Sequence, residues 1–361
     1  MAGANSRLKS VSYAKYGYIF IFPFFLAFFI FQLYPLLLTL YYSVQEYTMG
    51  QNLVTFQFET IGPNFIGLTN FENVFKNASE ASGILNAFKN TIIMWGCNFI
   101  PQITLSLLCA AWFTDKRLRV PGQGIFKILI FLPNVLTASC IAILFTSLFD
   151  KTGIVNVFLI KQLGVVDTQV DFLRSTGWVR GLVSFIQTWM WYGNTMVSLI
   201  SGILGINESL FEASEIDGCT SSQTFFKVTI PCIQPIMVYT LITSIIGGLQ
   251  LYDVPKLLSS DQKGAPNYTA QTVTMYITDK VFGGGTQDYG KAGAAATMLF
   301  IATSILSAIV FYILRDEDEV AHKKYIKKQR KLAKQGNKVS GGLQIWVLAQ
   351  DKSQDKAKLK R

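Results

Sequence analysis

Three carboxylates, Glu208, Glu212 and Glu215, recur at i, i+4 and i+7 within the stretch 207–231. On a helix that spacing gathers them on one face. Asn207 suits an N-cap, and Gly218 after Asp217 suits a helix stop. Thr220 or Ser221 suits the cap of a second short helix leading through Phe225 and Phe226 to Pro231. The chemistry on offer is recognition. Carboxylates beside Leu210, Phe211 and Ala213 fit a basic, partly apolar cleft on a soluble partner, where they would meet arginines. An ordinary solvated amphipathic loop would carry the same pattern.

A second constellation lies just upstream. Gln187, Trp191, Asn194, Ser198 and Ser201 recur at spacings of 4, 3, 4 and 3, hence along one helical face, with Trp189 and Tyr192 beside it. Gln250, Tyr252 and Asp253 follow about fifty residues later. Amides and aromatic rings together suit a neutral polyhydroxylated ligand, through hydrogen bonds to hydroxyls and flat faces for sugar C–H surfaces. The same residues also suit interhelical glue and an interfacial aromatic belt, and both readings stand.

Catalytic chemistry finds little support. The single histidine, His322, sits in a lysine-rich tail, which leaves no histidine triad and no multi-histidine metal site. Cys97, Cys109, Cys140, Cys219 and Cys232 show neither a CxxC nor a metal-ligand spacing. No catalytic residue, metal or cofactor is expected in this chain. Gly285-Thr-Gln-Asp-Tyr-Gly290-Lys291-Ala292 nearly matches a GxxxxGK[ST] phosphate loop. Ala292 replaces the hydroxyl that would hold Mg²⁺, and no buried strand is expected before it. A Gly-rich turn is the better account, and any ATP hydrolysis must come from another polypeptide.

The elements that position these residues follow from composition. The chain has 361 residues, a formal net charge of +10 and 50% hydrophobic residues, but only 15% charged ones, against about 25% in soluble domains. That excludes a disordered chain or a disulfide scaffold and speaks against an ordinary soluble enzyme. Six charge-free apolar runs cover 16–45, 90–114, 128–149, 181–207, 228–252 and 292–314. Each is long enough to cross a hydrocarbon core that takes roughly 20 helical residues. The expectation is an all-α membrane protein with six transmembrane helices, the first kinked by Pro23 and Pro35.

Orientation follows from Lys and Arg near the span ends. Arg7, Lys9 and Lys15 precede span 1; Lys116, Arg117 and Arg119 follow span 2; the tail from Arg315 onward is strongly basic. These segments share one side if there are six spans, which places both termini and the 207–231 loop in the cytoplasm. The expected organisation is a tail at 1–15, a six-span domain at 16–314 and a charged tail at 315–361. The basic run 323–338 suits a solvated arm near anionic headgroups; no motif supports nucleic-acid binding. The sequons at Asn77 and Asn267 fall outside by this topology. No Asp, Glu, Lys or Arg falls inside any of the six runs. Proton-coupled carriers usually need an ionisable group at depth, so that class is disfavoured.

The loop carries a family resemblance. Glu212-Ala213-Ser214, Asp217-Gly218 and Ile230-Pro231 resemble the EAA loop of permease subunits of binding-protein-dependent ABC importers, with Ser214 in place of the second alanine. Gly67-Leu68, Asn70-Phe71, Phe88 and Asn90-Thr91 are similar to the segment entering the second span of the maltose-type, carbohydrate branch. Leu132-Pro133, Gly153 and Asn156 are similar to its third span and outer turn. The resemblance covers about residues 16–314. It implies a short cytoplasmic coupling helix between spans 4 and 5, with Glu212 pairing with the ATPase and Gly218 permitting the turn. It also implies a second homologous permease subunit, a cytoplasmic ATPase dimer that binds ATP and Mg, and an extracellular substrate-binding protein that delivers a carbohydrate. Two alternatives remain: an ABC permease for a polyol or glycerol phosphate, and a secondary carrier, which would need no EAA-like loop.

Overall fold

The computed structural model describes residues 14–51, 58–76, 82–115, 118, 121–164, 168–283, 286–314, 324–327 and 329. The chain divides into two compact units, Met1–Val310 and Phe311–Arg361. Most of both tails, together with Lys116, Arg117, Arg119, Asn77, Gly285 and His322, lies outside the described residues.

In the first unit, α1 (Ala14–Phe28) passes through a π turn at Phe29–Leu33 into α2 (Tyr34–Ser43). The π turn runs into Pro35, whose missing N–H and bulky ring displace the carbonyl four residues back. Strands β1 (Gln45–Gln51) and β2 (Phe58–Phe65) pair antiparallel with Gln45 opposite Phe65. Helix α3 (Thr69–Lys76) leads to the 31-residue α4 (Ile84–Thr114), then α5 (Gln123–Val135), α6 (Ala138–Phe149) and the short α7 (Ile154–Val157). Next come α8 (Trp178–Leu204), α9 (Glu208–Ile216), α10 (Ser221–Thr224), a π turn at Phe225–Thr229 and α11 (Ile230–Cys232). Helices α12 (Gln234–Leu249), α13 (Asp253–Leu258) and α14 (Val273–Phe282) and strand β3 (Gln287–Asp288) follow, and then α15 (Tyr289–Leu314), which runs past the end of the unit at Val310. The sheet order is β2-β1-β3, so a small sheet joins an otherwise helical protein where the sequence suggested only a loop.

Five segments are long and apolar enough to cross a membrane: Tyr16–Ser43, Ile84–Thr114, Ala138–Gln162, Gln234–Leu258 and Tyr289–Leu314. A sixth is reached if α8 is taken with α9, which bends away from it by 75°. The main departure concerns the run 128–149. It is not one helix: α5 ends at Val135, Leu136 and Thr137 are extended, and Thr137 caps α6 by accepting from the Cys140 amide. The run stays free of charge across that break, so a search for charge-free runs passes over it, although Pro133-Asn134 and Thr137 mark it. The segments also carry more charge than expected. Asp253 and Lys256 lie within Gln234–Leu258, and Lys151 and Lys161 within Ala138–Gln162.

Two helices organise the core. Helix α4 supplies Ala87 to a cluster with Ile245, Val273 and Ala294, Met94 to one with Ile141, Ile186 and Val254, and Ala110 to one with Met196, Leu199 and Ile233. A ladder of hydrogen bonds fastens α4 to α8. Ser184 Oγ donates to Met94 O at 3.1 Å, Gln102 Nε2 to Thr195 Oγ1 at 2.8 Å and Ser106 Oγ to Tyr192 O at 2.8 Å. Between spans, where lipid is as apolar as leucine, such polar contacts and small residues do much of the fastening. Gly193 serves the same end: a Cβ there would lie 2.2 Å from Ile130 O, so glycine lets α8 press against α5.

Candidate coupling loop and solute path

The turn from α8 into α9 is built from local chemistry. Asn207 caps α9, its side chain accepting from the Ser209 amide. Helix α9 ends in two bonds, Cys219 N to Ser214 O at 2.9 Å and Gly218 N to Glu215 O at 3.0 Å. This is the Schellman arrangement, and it places Gly218 at φ +74°. A Cβ there would meet nothing within 4 Å, so the glycine answers to backbone conformation and not to space. Thr220 and Gln223 then form a capping box that starts α10. The expected caps and stop at Asn207, Gly218 and Thr220 are therefore found.

Glu208, Glu212, Ala213, Glu215, Asp217 and Gly218 are all exposed, as is Pro231. Leu210 and Ile216 stand out to solvent among the acids. Inward, Phe211 packs against the cluster of Ala110, Met196 and Ile233. Ser214, not singled out for chemistry from sequence, is buried; its Oγ donates to Phe211 O at 2.8 Å and lies 3.2 Å from Thr224 Oγ1. The arrangement is an acidic, partly apolar ridge on a short helix seated on the ends of the spans.

The polar stripe of α8 divides. Gln187 is buried, whereas Trp191, Asn194 and Ser201 are exposed and Ser198 is half-buried. Ser184, Thr188 and Thr195 supply the glue to α4, and the stripe lies on the flank of that interface. At about 100° per residue, Trp189 falls on the opposite side of the helix. There it packs edge-on against Phe145, with centroids 5.5 Å apart. Tyr192 is half-buried and offers its carbonyl to Ser106.

Gln250, Tyr252 and Asp253 sit where α12 breaks before α13. Leu251 and Val254, on either side of Tyr252 and Asp253, pack in the same cluster as Ile186 and Met190. The break therefore shares an apolar cluster with the Ile186 and Met190 side of α8. Lys256, one turn on, carries its ammonium 4.7 Å above the Tyr252 ring and against the Tyr252 hydroxyl. Among the described residues it has no ion pair.

At the Trp178 end of α8 a hub appears that the sequence did not announce. Fully buried Asn90 donates to Tyr268 O at 2.8 Å and Gln271 O at 3.1 Å. Arg180 donates to Asn90 Oδ1 at 2.6 Å and to Thr269 O at 3.0 Å. The 259–272 connection so held is braced from within. Asp261 Oδ1 accepts from Ser259 Oγ and from the Lys263 and Ala265 amides. Burial alone would raise the Asp261 carboxyl, but these three donors outweigh it and hold it below the ordinary value of 3.8.

In the phosphate-loop lookalike, Lys291 Nζ pairs with Asp288 Oδ2 at 2.9 Å. A Cβ at Gly290 would lie 2.4 Å from Gln45 O. Lys291 and Gly290 are thus packed against their own neighbours.

Residues 102–316 match the family model of the binding-protein-dependent transport system inner membrane component. The chain belongs to this family. It is an inner-membrane protein that crosses the bilayer several times. It is 31% identical over 313 residues to the lactose transport system permease protein LacF of Rhizobium radiobacter, covering 87% of this chain and 98% of that one. It is 26% identical over 311 residues to the arabinooligosaccharides transport system permease protein AraP of Bacillus subtilis (strain 168), covering 85% and 92%. Against the maltose/maltodextrin permease MalF of Vibrio vulnificus (strain YJ016) it is 26% identical over 263 residues, 69% of this chain and 49% of MalF. Its fold matches a crystal structure of a bacterial ABC transporter involved in the import of the acidic polysaccharide alginate, with a TM-score of 0.68 and 21% identity, covering 83% of this chain and 95% of that one. The resemblance drawn from Glu212-Ala213-Ser214 and Gly218 thus led to the right family.

Proposed function

We propose that this chain is the membrane-spanning subunit of an ATP-driven importer for a carbohydrate, itself without catalytic activity. Its α9 docks into a cleft on a separate cytoplasmic ATPase, which binds ATP and Mg. It pairs with a second homologous permease subunit, and an extracellular binding protein delivers the sugar. The observation that carries this reading is α9: a capped helix turned 75° from α8, bounded by a left-handed glycine, presenting Glu212 among exposed Leu210 and Ile216. Names of relatives that carry lactose, arabino-oligosaccharides and maltodextrins support the sugar assignment. Closure of the ATPase dimer would draw α9 toward its counterpart and rock the spans. The Trp191–Ser201 stripe and the Gln250–Asp253 break would then line the path.

Lys256 favours a second reading, a sugar bearing an anionic group, since an ammonium beside a path attracts a carboxylate or phosphate. Uptake of an acidic against a neutral oligosaccharide by Lys256→Gln complexes separates the two.

The deciding experiment is a mild-detergent pull-down from native membranes. Co-purification of a second six-span subunit and a soluble ATPase is expected. A chain that purifies alone or as a homodimer, with no ATPase, would sink the importer reading in favour of a secondary carrier.

A further inference from the structure

Helix α9 is held differently on its two sides. Toward α8 its hydrogen bonds are turn bonds confined to neighbouring residues, such as Ile206 N to Ile203 O and Leu210 N to Asn207 O, and Phe211 packs without directed bonds into the apolar cluster of Met196, Leu199 and Ile233. Toward α12 it is joined by a side-chain bond across ten residues, Ser214 Oγ to Thr224 Oγ1 at 3.2 Å. A serine has one proton to give, and Ser214 gives it to Phe211 O. Thr224 is therefore the donor in this pair, and Ser214 is the hydroxyl through which α9 receives it. Thr224 in turn belongs to a continuous chain of bonds leading onward: Thr224 N to Thr220 O, Thr229 Oγ1 to Thr224 O, and Ile233 N to Thr229 O at the foot of α12. Ser214 is buried, so water competes poorly for this contact.

We infer that Ser214 and Thr224 are positioning residues whose hydroxyl pair makes α9 and the 220–233 entry of α12 one rigid lever. The inference rests on the coupling reading above. Alanine at 214, as in the E-A-A pattern, would fill the same space but leave α9 to follow α12 through apolar contact alone. A directed bond fixes the angle as well as the distance. A push on α9 then arrives at α12, whose far end is the break carrying Gln250, Tyr252 and Asp253. Bending is left to the Gly205–Asn207 joint with α8.

The test uses the complete purified complex in two measurements. Amide exchange is followed at residues 208–224 in Thr224→Val, which keeps the shape and loses the donor, and in Thr224→Ser, which keeps the donor. Thr224→Val and Ser214→Ala should exchange about fivefold faster across both 208–217 and 220–224, the worth of one hydrogen bond. Thr224→Ser should match the parent. Separately, the Ser214→Cys/Thr224→Cys pair should form a disulfide on oxidation, checked by mass spectrometry, and the oxidised complex should hydrolyse MgATP within about twofold of the reduced one. Parent-like exchange in Thr224→Val, failure of the bridge to form, or arrest of hydrolysis by the bridge would each overturn the lever. Glu212→Lys reports on the docking reading separately: if it keeps its ATPase bound and active, that reading fails while the exchange result still judges the link.

Discussion

The two ends of α8 are built on opposite plans. At its Trp178 end, Arg180 and Asn90 tie together α4, α8 and the 259–272 connection through hydrogen bonds between residues 89 to 181 positions apart. Polar groups there find partners within the chain. At its Leu204 end the bonds are short-range caps, and the ridge of Glu212, Leu210 and Ile216 faces outward. An end that completes itself needs no visitor. An end that shapes a helix, caps it twice and then leaves acids and large apolar side chains exposed fits the docking on another protein proposed above.

The comparison breaks most sharply at Glu212. Glu212→Lys places a cation where the proposed docking calls for a carboxylate, and ATP-driven uptake should fall by about thirtyfold or more. Membrane insertion should be unchanged, because Glu212 is exposed and, among the described residues, makes no hydrogen bond or ion pair. Uptake in cells, normalised to the amount of the chain in the membrane, checks this; normal uptake would make the ridge an ordinary solvated surface.

The opposite end should fail in the opposite way. Asn90→Leu keeps the branched outline of asparagine, with two bulkier methyls, but strips two carbonyls and a guanidinium of their partner. Loss of about 2–4 kcal/mol is expected, since a hydrogen bond to a charged group is worth more than a neutral one. Thermal unfolding of the detergent-solubilised complex should register it, and co-purification of the ATPase at low temperature should persist. A variant as stable as the parent, but with uptake lost, would reverse the assignment of the two ends.

How much of this was legible follows the range of the interactions. Asn207, Gly218 and Thr220 act on amides within a few residues, so their types and spacing disclosed the caps of α9 and α10. Most span cores followed from charge-free runs, because a bilayer tests composition residue by residue. The break at Leu136–Thr137 lies inside a charge-free run and was missed because the search was for charge, although Pro133-Asn134 and Thr137 mark it. The hub was missed for a different reason: nothing near Asn90 in sequence hints at Arg180, which stands just before the run 181–207 and 90 positions away. Lys256 was passed over because the apolar run ends at Tyr252, whereas the helical segment resumes at Asp253. Trp189 and Trp191 were grouped as neighbours, although two residues of helix turn them to opposite sides.

A milder test addresses the α8 stripe, which runs between the two ends. Trp191→Ala and Asn194→Ala should each weaken apparent solute affinity by about fivefold, the size of one hydrogen bond or ring contact. Assembly should be intact, since both side chains are exposed while Ser184, Thr188 and Thr195 hold α4. Unchanged solute dependence in both variants, measured in proteoliposomes, would reduce the stripe to a surface for lipid or for the second subunit.

The smallest effect is a pH dependence confined to the self-contained end. Asp261 accepts three hydrogen bonds in the fold, and its carboxyl lies below the ordinary 3.8. A carboxylate depressed by folding contributes stability that is fully present above its unfolded value and fades as pH falls through its folded one. The bracing of 259–272 should therefore be constant down to about pH 4 and weaken below it. The amides of Lys263 and Ala265, which donate to Asp261 Oδ1, are the reporters: their exchange, corrected for the intrinsic pH dependence of the chemistry, should accelerate below that point. Asp261→Asn removes the titrating group, so the corrected rates should become flat with pH. If they still rise on acidification in Asp261→Asn, the proton acts elsewhere and the loop is not braced by this carboxylate.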